Sequence, residues 1–200
     1  AIKSVLLFGL PATAALVILS DELIATLFFH GVMESRDVLM AGASLAAYGA
    51  GLAGHMLVKV LAPGYFSRQD MISPVRFGII AMVANMGLNL VLIWHFKHVG
   101  LAIATTISAF LNAALLYAGL SRQGLINFYN KDNVLFLSRL IVATFIMTAL
   151  IYYFNPSISW WLQIDSVARV IRMLSICLLG AFSYFLVLAL SGLNLKSLLR

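Results

Sequence analysis

The chain has 200 residues, of which 62% are hydrophobic and 10% charged, with a formal net charge of +6. Soluble domains run at roughly 45–50% apolar and about 25% charged. A soluble domain is therefore excluded, and the solvent for most of the chain is lipid. In so apolar a chain the basic balance points to loops held near anionic headgroups, not to nucleic acid.

A bilayer core of about 30 Å takes about 20 helical residues, and six segments qualify or nearly do. The first is 2–19, where Pro11 predicts a kink because it removes a backbone donor. No basic stretch precedes a short apolar segment, so no signal peptide is expected, and a chain beginning at Ala reads as a piece of a longer protein. Ser20-Asp21-Glu22 then resembles a helix N-cap followed by acids in the first turn. Residues 23–29 are too short to span and read as an interfacial turn of helix, ended by His30-Gly31.

The second span, 39–62, carries two small-residue rows. Gly42, Ala46, Ala50 and Gly54 recur every four residues and form a packing stripe. Beside them run Ala43, Ala47, Gly51, His55 and Lys59. Lys59 lies about one turn from the end of the span. Either its stem lies along lipid and its ammonium reaches the interface, or it faces a polar cavity and pairs with an anion. Pro63 cannot donate to the carbonyl of Lys59 if the helix reaches that far, and a free carbonyl at membrane depth needs a partner or a wet cavity. His55 reads as a satisfied core histidine or a titrating group.

Pro63 and Gly64 close this span, and Ser73-Pro74 open the third, 75–94, as N-cap and first helical residue. Arg68, Asp70 and Arg76 lie in or beside the turn between them and read either as a local charge cluster or as a solvated loop. Asn85 and Asn89 share a face of the third span. In the fourth span, 101–120, Thr105, Ser108 and Asn112 do the same. Interhelical hydrogen bonds worth about 0.6 kcal/mol each are the plain reading of these groups, and substrate contact is the alternative. The fifth and sixth spans, 134–154 and 170–190, are nearly all apolar at their centres and look lipid-facing, or suited to cradle an acyl or prenyl chain.

Basic residues divide between the two ends of these spans. One end holds Lys3, Arg68, Arg76, Arg122, Lys131, Arg139, Lys196 and Arg200, eight in all, and the other holds Arg36, Lys97, Arg169 and Arg172, four in all. The richer end is expected to be cytoplasmic, with both termini there. Trp94, Phe96, Tyr152, Tyr153, Trp160 and Trp161 would mark the outer interface, and Tyr65, Phe66, Phe128 and Tyr129 the inner one. There is no phosphate-binding glycine loop, no metal-ligand spacing and no nucleophile set, so neither catalytic residues nor a metal or cofactor is expected. His30, His95 and His98 read as interfacial. The lone Cys177 has no partner for an intrachain disulfide.

The stretch "KVLAPGYFSRQD", followed by Ser73-Pro74-Val75-Arg76, resembles a signature of the lipid II flippase MurJ (MviN) family, part of the multidrug/oligosaccharidyl-lipid/polysaccharide exporter superfamily. Tyr65-Phe66 stands in place of the usual order of aromatics, and Ser73 where threonine is common. "GLPATAALVILS", "HVGLAIATTISAFLNAALLY" and the Arg169-to-Arg172 start of the last span add support. The resemblance implies the last six of fourteen helices of an all-α polytopic protein. Residues 1–122 would be four helices of the second lobe, and 123–200 two additional C-terminal helices. It implies an inner-membrane flippase, not an enzyme, for the undecaprenyl-pyrophosphate-linked peptidoglycan precursor, working among membrane lipids by alternating access. Lys59 and Arg139 match charged positions of the family's tenth and thirteenth helices. Pro63, Gly64, Arg68, Asp70, Pro74 and Arg76 match its loop signature. The main cavity arginines of the family would lie upstream, and a groove near the last two helices would take the lipid tail. The alternatives are an exporter of another lipid-linked glycan or a drug, or a non-transporting scaffold for envelope assembly. A drug antiporter would want a coupling carboxylate within a span, whereas all seven acids (Asp21, Glu22, Glu34, Asp37, Asp70, Asp132, Asp165) are expected in loops or at interfaces.

Overall fold

Apolar composition and long runs without breakers fold into helices throughout. The computed structural model describes residues 2–124 and 131–191, with all their side chains except those of 131 and 132. Phe128, Tyr129, Lys196, Arg200 and the side chain of Lys131 lie outside the described residues. The elements are α1 (Ile2–Ile18), α2 (Ser20–Phe28), α3 (Ser35–Ala50), α4 (Leu52–Phe66), α5 (Ile72–Arg122), α6 (Lys131–Phe154), α7 (Ile158–Gln163) and α8 (Ser166–Leu190). Among the described residues no strand forms.

α1 continues as helix through Pro11, and at Leu19 the chain bends by 70° into α2. Ser20 does not cap α2. It lies inside the helix and donates its hydroxyl to the carbonyl of Val17 at 3.2 Å. α3 and α4 run on as one 32-residue span, about 48 Å at about 1.5 Å per residue. This is longer at both ends than the apolar run, because Asp37 accepts from the Glu34 amide at 3.0 Å and so starts the helix in polar sequence.

α5 has 51 residues, which straight would be about 76 Å long. It reverses at Lys97, whose φ of 51° and ψ of −130° are not helical. A Cβ on Gly100 would stand 2.5 Å from the carbonyl oxygen of Leu92, and one on Gly119 would meet the Phe77 ring at 3.2 Å. The limbs 72–96 and 98–122 therefore pack side by side. Four helices are long and apolar enough to cross a membrane, or five with α1 and α2 taken as one bent span; dividing α5 at Lys97 makes six. The chain is an all-helical, multi-pass membrane protein.

α1 lies between two groups of helices. On one side Leu7 and Leu19 join Phe136, Leu140, Met147 and Ile151 of α6, Trp161 of α7, and Met173, Ile176, Tyr184 and Leu188 of α8 in one core. On the other, α1 packs on α3 and α4, which pack on α5. A second, smaller core holds Leu61, Tyr65, Leu116 and Leu120. The packing stripe of the second span does not face one neighbour. Gly42 meets Asp21 of α2, while Gly54 meets the backbone of Ala109 and Phe110. At about 100° per residue a four-residue repeat drifts about 40° each step, so a row of four turns well round the helix.

Two expected interfacial aromatics are core residues. Trp161 is 0% exposed, and Tyr65 is 1% exposed with its hydroxyl on the carbonyl of Leu116 at 2.8 Å. Trp94, Tyr152 and Tyr153 remain on the surface. The last span also begins earlier than expected, at Ser166, after the short helix α7 within the expected loop.

Candidate functional site

The polar residues of three spans converge on one pocket of about 340 Å³. α4 contributes His55, Val58 and Lys59, the first limb of α5 contributes Ala81, Met82 and Asn85, and its second limb contributes Thr105, Ser108, Ala109 and Asn112. The reversal at Lys97 makes this possible, since it lays the asparagine face of one limb beside the hydroxyl face of the other. Small residues bring the span of α3 and α4 close to the second limb of α5. Thr106 donates to the carbonyl of Ala47 at 2.5 Å, and a Cβ on Gly51 would stand 2.7 Å from the Thr106 hydroxyl. Thr106 was not legible as a contact residue, because it sits one position off the polar row.

Lys59 is exposed on the pocket wall, and no acid lines the pocket. Pro63 lies inside α4, so the helix does extend past the point where the Lys59 carbonyl loses its donor. The span closes at Phe66 and not at Pro63-Gly64. The expected interhelical bonds do not form. Thr105 and Ser108 donate to carbonyls of their own helix, Leu101 and Thr105, both at 2.9 Å. The amide oxygens of Asn85, Asn89 and Asn112 are buried without a partner. Each is an acceptor with nothing to accept from, which is costly in an apolar surrounding.

The turn after α4 holds the charge cluster only in part. Asp70 accepts from the backbone amide of Ser73 at 3.0 Å and so caps α5, which starts at Ile72. Ser73 is thus not the cap, and Pro74 sits in the first turn, where a missing N–H costs nothing. Arg68 and Arg76 are exposed, and among the described residues neither lies within ion-pair distance of Asp70. Bonds from Ser73 first, with a weaker pull from Arg76, hold the Asp70 carboxyl below its usual value of 3.8. The sign follows. The folded pKa is depressed, so the cap's contribution is present above about pH 3.8 and is lost as pH falls through the folded value. Asp70→Asn is expected to lower the thermal stability of the full-length protein at pH 7, with the difference from native shrinking as pH falls below 3.8. Equal melting at both pH values would refute the capping role.

Arg139 is not part of this pocket. It stands on α6, which packs on α8 and α1, one turn beyond Phe136, whose ring lies 5.5 Å from the Lys3 ammonium. Two turns further along α6, Met147 and Ile151 line an apolar groove of about 190 Å³, closed by Phe8 and Pro11 of α1 and by Cys177 and Tyr184 of α8.

Among the described residues, the buried charges lie elsewhere. Glu22, expected at an interface, is 7% exposed inside α2, and Arg169 is 6% exposed. Arg169 gives its hydrogen bonds to carbonyls of Trp161, Leu162, Ala25 and Phe29. Arg172 donates to the carbonyl of Phe154 at 3.0 Å. Position in the sequence gave no sign of this, since helix-end carbonyls become partners only once four chain segments meet.

Comparison with known proteins bears on the whole chain. The family model described as lipid II flippase MurJ matches residues 1–172. The probable lipid II flippase MurJ of Vibrio cholerae is 43% identical over 98% of this chain and 37% of the relative. That of Haemophilus influenzae is 41% identical over 99% of this chain and 38% of the relative. The lipid II flippase MurJ of Burkholderia cenocepacia is 30% identical over 93% and 36%. The chain thus spans less than two-fifths of these relatives, and it belongs to the lipid II flippase MurJ family.

Proposed function

We propose that the chain is the C-terminal portion of an inner-membrane flippase that moves the lipid-linked peptidoglycan precursor by alternating access. The observation that carries this reading is Lys59 on the wall of a polar pocket that contains no acid, in a chain whose relatives are named lipid II flippases. A pyrophosphate head needs cations when it leaves water, and Lys59 supplies one. Glycan hydroxyls and peptide amides supply donors for the unpartnered asparagine oxygens. No bond is made or broken, and the protein acts as a transporter rather than an enzyme.

Residues 1–122 form the pocket-bearing part, and 123–200 form an appended pair of spans whose groove against α1 cradles the lipid tail. Arg139 lies two turns from that groove along α6, a place for a cation at the polar end of a lipid. The basic end faces the cytoplasm. Of the four basic residues at the other end, Arg169 and Arg172 spend their charge on carbonyls, which sharpens the asymmetry.

The test is depletion of the full-length protein, followed by labelling of the precursor from the outer face. Labelling is expected to fall while the precursor accumulates inside. Undiminished labelling would refute the reading and favour an assembly scaffold. Loss of a different lipid-linked glycan from the outer face would favour the related exporter.

A further inference from the structure

We infer that a closed ring of buried and half-buried hydrogen bonds fastens α6–α8 to α2, so that these parts move as one piece. The ring starts at Glu22, whose Oε1 accepts from Asn155 Nδ2 at 2.5 Å. Asn155 Oδ1 accepts from the indole of Trp161 at 3.0 Å. The Trp161 carbonyl accepts from Arg169 Nε at 2.9 Å. The Arg169 guanidinium then returns to α2, donating to the carbonyls of Phe29 at 2.8 Å and Ala25 at 3.4 Å, and it lies over the Phe29 ring at 4.9 Å.

The chemistry admits one arrangement. An indole N–H only donates, so the Asn155 oxygen must face Trp161 and its amide nitrogen must face Glu22, which accepts. Four segments are joined: α2, the residue following α6, α7 and α8. Trp161, Glu22 and Arg169 are each less than a tenth exposed. Apolar surfaces can slide past one another with little change in contact, but a buried ring cannot. Moving any one segment breaks the hydrogen bonds of the others, whose Glu22, Trp161 and Arg169 are buried. The ring therefore keeps this junction fixed, whatever the pocket carries.

Hydrogen exchange of the full-length protein in nanodiscs tests this. Glu22→Ala and Asn155→Ala should each raise exchange across 20–28 and 158–163 by about tenfold and leave 98–122 unchanged. The double variant should be no looser than either single variant, because a ring opens once. Glu22→Gln keeps the acceptor for Asn155 and should stay within about twofold of native. The inference is overturned if both alanine variants exchange like native, if their effects multiply in the double variant, if 98–122 loosens equally, or if Glu22→Gln is as loose as Glu22→Ala.

Discussion

Lys59→Ala in the full-length protein is expected to fail to sustain growth at normal expression once the native copy is depleted, while Lys59→Arg retains most function. Lys59 is the one lysine or arginine on the pocket wall, and no carboxylate lies there to balance it. Removing one partner of a desolvated charge pair costs about 2–5 kcal/mol, on the order of 30-fold or more in affinity at about 1.4 kcal/mol per tenfold. Arginine keeps the charge but spreads it over a planar fork, so a smaller loss is expected. Immunoblotting must show equal amounts of each variant. Full growth of the alanine variant at native abundance would remove Lys59 from the proposed mechanism.

The fold was largely legible, and the physical reason is the solvent. Lipid demands about 20 apolar residues per crossing, so the spans stand out as runs between charged or breaking residues. Side-chain spacing made the pocket legible too. Asn85, Thr105, Ser108 and Asn112 could be assigned to faces from helical periodicity alone, and the pocket gathers those faces. What periodicity does not encode is where helix ends meet. Trp161 and Arg169 looked like an interfacial anchor and an orienting charge. They are buried because the ends of α2, α7 and α8 converge and offer carbonyls that need donors. Tyr65 was misread for the same reason, since the carbonyl that holds it, Leu116, is 51 residues away. The 70° bend at Leu19, where the chain turns into α2, had no breaker residue to announce it.

Gly100→Ala is expected to destabilise the full-length protein and impair transport, although alanine is the better helix former. At an open helical position a glycine-to-alanine change favours the helix by about 0.5–1 kcal/mol. Gly87 is such a position, with nothing within 4 Å of an added Cβ, so Gly87→Ala should melt at or slightly above native. Gly100 differs because its added Cβ would stand 2.5 Å from the Leu92 oxygen and 2.7 Å from the Leu92 carbon. Both are backbone atoms of the opposite limb, and no rotamer change can move them away. The limbs must separate, and overpacking of this kind costs about 1–3 kcal/mol, which outweighs the gain in propensity. Lys97 already holds the reversal at a positive φ that non-glycine residues rarely adopt, so the turn has little room to adjust. Separation would also carry Asn85 away from Ser108 and Asn112, which line the same pocket as Lys59. Paired melting curves of the two variants check the argument, because they predict opposite signs for the same substitution on one helix. A Gly100→Ala protein as stable as Gly87→Ala would show that the close approach at Leu92 is not what holds the limbs together.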